Sequence, residues 1–174
     1  ENLSYYISGD YVTSDGYRDN SDTEAEDVGL KLNYYINDSL KLHMSSGYHH
    51  DKTGLPGALK ESDFDTGASR TDSTHPYDYI DVEDYYFKGG PQFYFLEGNE
   101  FSLDVSYRKR DFLSFATGDF GYFEGDSEIE TVTLSPQIYL KNSLGGVKNE
   151  LTLGIDYSQD DNDIVNESLF FGDT

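Results

Sequence analysis

Val28-Gly29-Leu30-Lys31-Leu32-Asn33-Tyr34-Tyr35-Ile36, the turn Asn37-Asp38-Ser39, and then Leu40-Lys41-Leu42-His43-Met44-Ser45-Ser46-Gly47-Tyr48 decide the fold class. In both runs an apolar or aromatic residue stands at every second position, with Gly, Lys, Asn, His or Ser between. A strand puts successive side chains on opposite faces, so this spacing gives each run one apolar and one polar face. A helix would scatter the same apolar residues around its axis. Two such runs joined by an Asn-Asp-Ser turn read as an antiparallel hairpin.

The same alternation recurs outward along the chain. Leu3, Tyr5, Ile7 and Tyr11 precede it. Phe87 to Phe95, Phe101 to Tyr107, Val132 to Leu140 and Leu151 to Tyr157 follow it. That makes about seven strands of the length a tilted strand needs to cross a bilayer. Pro91 weakens the fourth, because a strand paired on both sides loses a ladder bond at proline.

The connections alternate between short and long. Asn37-Asp38-Ser39, Glu97-Gly98-Asn99-Glu100 and Lys141 to Gly146 are short. Thr13 to Thr23, His50 to Tyr79, Asp111 to Ser127 and a stretch beginning near Gln159 are long and polar. In an up-and-down meander alternate connections lie at one end, so all short turns share one rim and all long loops the other. That asymmetry is the pattern of outer-membrane barrels. Tyr11, Tyr34, Tyr48, Phe95, Tyr107, Tyr139 and Tyr157 gather toward strand ends, where a membrane interface favours amphipathic rings. The expected fold is therefore all-β: an antiparallel up-and-down transmembrane β-barrel, present in part.

Composition agrees. Of 174 residues, 36% are apolar, which is little for a soluble core of this size but enough for a barrel that needs apolar residues on one face only. The net charge of -22 argues against nucleic acid, whose phosphates require Lys and Arg. An aromatic content of 16% argues against a disordered acidic tail. No run approaches the ~20 apolar residues of a spanning helix. The absence of Cys excludes a disulfide scaffold. Glu1-Asn2-Leu3 at one end and a polar stretch at Thr174 at the other read as points inside a longer chain.

Several pieces, in order, carry a resemblance. They are Ser8-Gly9-Asp10-Tyr11 followed by Ser14-Asp15-Gly16-Tyr17-Arg18-Asp19-Asn20-Ser21, and Gly47-Tyr48-His49-His50-Asp51 running into Gly54-Leu55-Pro56-Gly57-Ala58-Leu59. Glu83-Asp84-Tyr85-Tyr86, Ser106-Tyr107-Arg108-Lys109-Arg110-Asp111 and Leu134-Ser135-Pro136-Gln137 complete it. Across essentially its whole length the chain resembles the barrel domain of TonB-dependent outer-membrane receptors, which import iron-siderophore complexes, haem or cobalamin. The resemblance implies a barrel of about 22 strands, of which residues 1–174 form a segment. It also implies a plug domain and a TonB-engaging segment, both outside this sequence, and a location in the bacterial outer membrane among its lipids. A siderophore-iron complex or related metal chelate is the first substrate expectation and cobalamin the second. A passive porin and a soluble β-sandwich adhesin module are the rivals from other classes.

For ligand contact, the two longest loops offer exposed aromatic residues able to stack on a planar or macrocyclic ligand, with Tyr77, Tyr79, Phe120, Tyr122 and Phe123 as the candidates. Arg18, Arg70, Arg108 and Arg110 are the basic residues that can offset the acidic charge toward an anionic chelate. For metal, Asp160, Asp161 and Asp163 beside Asn162 are the best candidate for calcium in an outer loop, because calcium takes about six to eight oxygen ligands; plain solvated acidity is the commoner reading. His49-His50-Asp51 has metal-site residue types, but adjacent strand residues point apart. No nucleophile elbow, phosphate loop, HExxH or CxxC motif is present, so no enzymatic chemistry is expected.

Overall fold

The computed structural model describes residues 2–96 and 98–170. Eight strands follow one another: β1 (Leu3–Ser14), β2 (Thr23–Asn37), β3 (Leu40–Gly54), β4 (Tyr79–Phe95), β5 (Asn99–Gly118), β6 (Gly121–Leu144), β7 (Val147–Gly154) and β8 (Tyr157–Phe170). A short helix, α1 (Glu61–Asp65), lies between β3 and β4. Each strand pairs antiparallel with the next as far as β7, and β8 pairs with β6.

β7 and β8 are two halves of one arm. β7 pairs from Leu144↔Val147 to Gln137↔Gly154, and β8 continues in the same register from Leu134↔Tyr157 to Gly121↔Phe170. The ladder lapses only at Ile155 and Asp156, opposite Pro136 and Ser135. Proline has no N–H to donate, and the one bond left there is Ile155 N donating to the Pro136 carbonyl at 3.2 Å. The sheet therefore has the seven arms that the alternation predicts.

Register sorts the side chains into two faces. Tyr5, Leu32, Met44, Gly89, Val105, Leu134 and Tyr157 are successive partners across the sheet, forming one apolar rank. Three residues along on each strand, Ser8, Gly29, Gly47, Tyr86, Arg108, Thr131 and Asp160 form a polar rank. Nothing covers the apolar face: the described residues include no buried hydrophobic side chain, and Tyr5 is 70% and Ile155 69% exposed. A β-sandwich would bury that face against a second sheet. A barrel wall presents it to lipid.

Above the apolar band the tyrosines change role. Tyr11 donates its hydroxyl to Glu24 at 2.8 Å and Tyr107 donates to Glu130 at 2.9 Å, each ring spanning the step from apolar to charged surface. Tyr139 is the exception to the expected belt, because its partner Glu100 places it on the polar face.

The strands run further than the hydrophobic alternation. The expected long loop Asp111 to Ser127 is the upper part of the β5–β6 hairpin, which turns only at Asp119 and Phe120, and the expected loop from Gln159 is β8. Beyond the bilayer both faces meet water, so the apolar period disappears while the backbone ladder continues. The loops at residues 15–22 and 55–78 are true connections. At the opposite rim, Ser39 N donates to Asn37 Oδ1 at 2.8 Å within its turn, and Gly145 and Gly146 supply the positive φ of the β6–β7 turn. Of the expected Glu97-Gly98-Asn99-Glu100 turn, Glu97 lies outside the described residues. Asn99 links neighbouring turns by donating to the Leu96 carbonyl at 2.8 Å and accepting from Lys141 N at 2.7 Å.

Pro91 is accommodated where pairing lapses. β4 pairs with β5 through Gly89↔Val105 and resumes at Gln92↔Ser102, skipping Gly90 and Pro91. At that point the β5 backbone presses in, so a Cβ on Gly90 would lie 1.7 Å from the Leu103 carbonyl oxygen. Gly90→Ala is expected to destabilise the barrel by about 1–3 kcal/mol, the usual range for overpacking. The measurement is the temperature at which the folded band of the complete protein is lost on a semi-native gel. Gly118→Ala, whose Cβ meets nothing within 4 Å, should leave that temperature unchanged.

Candidate functional site

On the polar face a groove of about 370 Å³ crosses β1 to β5. Its floor is low because Gly29 and Gly47 face each other without side chains. The Tyr86 ring lies over Gly47, where an added Cβ would stand 2.4 Å from ring Cε1. A hydrogen-bonded couple and an ion pair flank the floor. His49 Nδ1 lies 2.9 Å from Asp27 Oδ1. Arg108 Nε donates to Asp84 Oδ1 at 2.9 Å and to Oδ2 at 3.0 Å, and its terminal nitrogen also binds Oδ2. The Asp84 side chain is 12% exposed and that of Arg108 57%. Asp84 thus holds the guanidinium in place while its outer N–H groups stay open to an anion, the geometry that makes arginine a good carboxylate or phosphate ligand.

A second polar cluster lies nearer the short-turn rim. Asp104 accepts from His43 Nε2 at 2.7 Å and from Lys88 Nζ at 3.4 Å, with Lys41, Gln92 and Glu100 nearby. His43 Nδ1 is buried without a partner.

The long connections above the groove form a fixed platform. Arg18 donates to the carbonyls of Pro56, Gly57 and Asp72, and Asn20 Nδ2 donates to those of Leu55, His75 and Asp78 at 3.2, 2.6 and 2.8 Å. Asn20 reaches them from a left-handed backbone conformation (φ 56°), which asparagine tolerates better than most residues. Asp78, 5% exposed, then joins the loop to the β5–β6 hairpin by accepting from Thr117 N at 2.9 Å, Thr117 Oγ1 at 2.7 Å and His75 Nδ1 at 2.9 Å. The sequence marks Arg18 only as a basic residue able to offset acidic charge, and Asn20 looks like an ordinary polar loop residue. The carbonyls of Leu55, Pro56 and Gly57 lie just past the end of β3, where no ladder satisfies them, and a Pro-Gly pair there is the signal for a loop that needs side-chain donors.

The sequence-derived ligand candidates do not form one group. Tyr77 is 77% exposed in the loop and Phe120 is 72% exposed at the hairpin tip. Phe123 is on the polar-face side of β6, whereas Tyr79 and Tyr122 are on the opposite side, in line with the apolar band. Arg18 is committed to backbone carbonyls, while Arg108 and Arg110 project from the polar face. His49 and His50 point apart, to Asp27 and to Asp81 at 2.9 Å each.

β8 carries the three acidic residues considered for calcium. Asp160, Asp161 and Asp163 lie on a strand rather than a loop. Asp160 faces the polar side, accepting from Thr131 Oγ1 at 2.6 Å, while Asp161 and Asp163 face the other side opposite Glu130 and Glu128. The three carboxylates do not converge, and among the described residues no group of three or more His, Asp or Glu is arranged to hold a metal ion.

No family model matches the chain. No curated protein matches it either. Solved structures do. The chain is similar to the ferric citrate transporter FecA in its unliganded form, with a TM-score of 0.81 and 18% identity over 96% of this chain and 25% of that one. It is similar to FpvAI in complex with pyocin S2, with a TM-score of 0.78 and 11% identity over 95% of this chain and 25% of that one. It is also similar to P. aeruginosa FpvA bound to heterologous pyoverdines in an iron complex, with a TM-score of 0.77 and 11% identity over 95% of this chain and 24% of that one. The chain spans about a quarter of the length of these structures. The fold is thereby placed: an antiparallel up-and-down segment of a transmembrane β-barrel wall.

Asn20→Ala should unlatch residues 55–78, since it leaves three carbonyls without their shared donor. Hydrogen exchange of those amides is expected to speed up about tenfold or more, the effect of losing ~1.4 kcal/mol of local stability. Amides of β3 and β4 should be unaffected. Asn20→Asp, which keeps the shape and loses the N–H donors, should behave like Asn20→Ala.

Proposed function

We propose that the chain forms part of the barrel wall of a TonB-dependent outer-membrane receptor that imports an iron-siderophore complex or a related metal chelate. Residues 1–174 supply a stretch of wall and its outer loops; the plug, the TonB-engaging segment and the remaining strands come from elsewhere in the complete receptor. The observation that carries the reading is the polar-face groove with its oriented Arg108, set beneath a latched outer platform, on a fold shared with a ferric citrate transporter and a pyoverdine-bound protein.

The acidic net charge is less of an obstacle to an anionic chelate than its size suggests. Carboxylates concentrate on the outward side of the strands above the bilayer, as at Glu24, Glu26, Glu128 and Glu130. Lys31, Lys41, Lys88, Arg108 and Arg110 stand on the polar face, which lines the lumen. A ligand entering the lumen therefore meets basic side chains whose field is least screened inside a narrow wall. Capture at the platform followed by transfer to Arg108 orders the steps from outside inward. Energy-coupled release falls to the plug.

Radiolabelled iron uptake in a deletion strain, supplied with ferric citrate or a ferric pyoverdine and complemented with the complete gene, tests the reading. Wild type should restore uptake of one of the chelates. Arg108→Gln should reduce it about tenfold, the cost of one charge-assisted contact. Phe120→Ala with Phe123→Ala should also reduce it. Restored uptake that is indifferent to Arg108 and both phenylalanines would remove this groove and hairpin from the site.

A further inference from the structure

We propose that a second polar hollow, inward of the Arg108 groove on the same face, is a relay station that takes the anionic group of the chelate when Arg108 gives it up. The inference rests on the uptake reading above and deepens it, by assigning residues to the step that follows capture. The hollow, of about 340 Å³, is bordered by Lys41, His43, Lys88, Gln92, Glu100 and Asp104. Its acids are already taken: Asp104 is shared by His43 Nε2 at 2.7 Å and Lys88 Nζ at 3.4 Å, and Glu100 accepts from Gln92 Nε2.

Its cations are not used up. The Lys88 side chain stays 48% exposed beside Asp104. Among the described residues Lys41 makes no ion pair, and its cross-strand partners are Tyr35 and Gln92. In a chain with 34 acidic and 12 basic residues, that lysine stands apart from every available carboxylate. His43 Nδ1, buried without a partner, marks the polar complement of the hollow as incomplete within this segment. An anionic oxygen group entering the hollow therefore meets two ammonium groups with donors to spare.

Register connects the two sites without a repulsive step. The rank of Arg108 and the rank of His43 and Asp104 are four residues apart, about 13 Å at ~3.3 Å per residue. Between them lies the rank Lys31, Ser45, Lys88, Ser106, Thr133 and Ser158, which holds two lysines, four hydroxyls and no carboxylate. The two ends differ in how they hold an anion. Arg108 is a guanidinium fixed by Asp84 and offers a rigid, forked contact that suits capture. Lysine offers a strongly hydrated point charge on a flexible stem, which accepts an anion at lower geometric cost and releases it more readily. The order from outside inward is thus tight capture followed by loose transfer.

The test measures the initial rate of radiolabelled iron uptake against concentration, in cells carrying the complete protein and supplied with ferric citrate or a ferric pyoverdine, whichever wild type imports. Lys41→Gln with Lys88→Gln should lower the maximal rate about tenfold, the cost of a lost charge-assisted contact, and leave the half-saturating concentration unchanged. Arg108→Gln should raise the half-saturating concentration instead. Lys41→Arg with Lys88→Arg, which keeps the charges, should restore most of the rate, and Lys52→Gln, on the outward face, should change neither quantity. An unchanged maximal rate in the glutamine variant overturns the proposal, as does a raised half-saturating concentration, which would make the lysines part of the capture site. Ion conduction by purified glutamine variant in planar bilayers without chelate also overturns it, because the lysines would then seat another segment of the receptor. If wild type imports neither chelate, the uptake reading fails and this inference with it; uptake that depends on Arg108 and not on the lysines sinks this inference only.

Discussion

Backbone hydrogen bonding without water is the constraint on which the structure depends. In hydrocarbon each unpaired N–H or C=O costs several kcal/mol, so a strand can cross only if both its edges are paired. Each interior strand here meets that demand through long, nearly uninterrupted ladders. Among the described residues, β1 pairs only with β2, and β7 and β8 only with β6. Those outer edges call for further strands on both sides, so neither groove nor platform is complete within this segment. The same ladders free the side chains from any duty to build a core. Apolar residues at alternate positions suffice, and the polar face is left to carry Arg108, Asp84, His43 and Asp104.

Where lipid imposes a period, the sequence is legible. Every apolar rank between Leu3 and Tyr157 falls on one face, and the short turns lie where Asn, Asp, Ser and Gly mark them. Above the bilayer the period vanishes. Phe112 and Leu113, or Ile164 and Val165, are adjacent apolar residues that read as loop or noise, yet they occupy opposite faces of continuing strands. Strand pairing there is sustained by propagation from the anchored ladder below, a long-range cause that no local pattern records. Asp160, Asp161 and Asp163 show the consequence: in a loop they would be free to converge, and on a strand they are divided between faces.

The site was legible in residue type more than in arrangement. Arginine was the expected attractor of an anionic chelate, but the chain separates its arginines by task. Arg18 is used up in holding three carbonyls, whereas Arg108 is held by one carboxylate and remains more than half exposed. Only the three-dimensional neighbours distinguish a guanidinium that fixes backbone from one that is itself fixed. The glycine pair beneath Tyr86 is similar. Gly29 and Gly47 look like weak points of two strands, and their pairing across β2 and β3 makes the recess that the Arg108 couple borders.

The net charge of -22 acquires a direction from the same ladders. One strand can present Tyr107 to lipid, Arg108 to the lumen, Lys109 to the outside and Arg110 to the lumen again, so opposite electrostatic surfaces are built from consecutive residues. Outside, carboxylates above the tyrosine edge keep the extended hairpins solvated and repel a bare anion. Inside, basic side chains alternate with the acids that orient them. An acidic protein can thus carry a basic inner face, because each two-residue step along a strand is a choice of side and the charge of the whole chain sets neither.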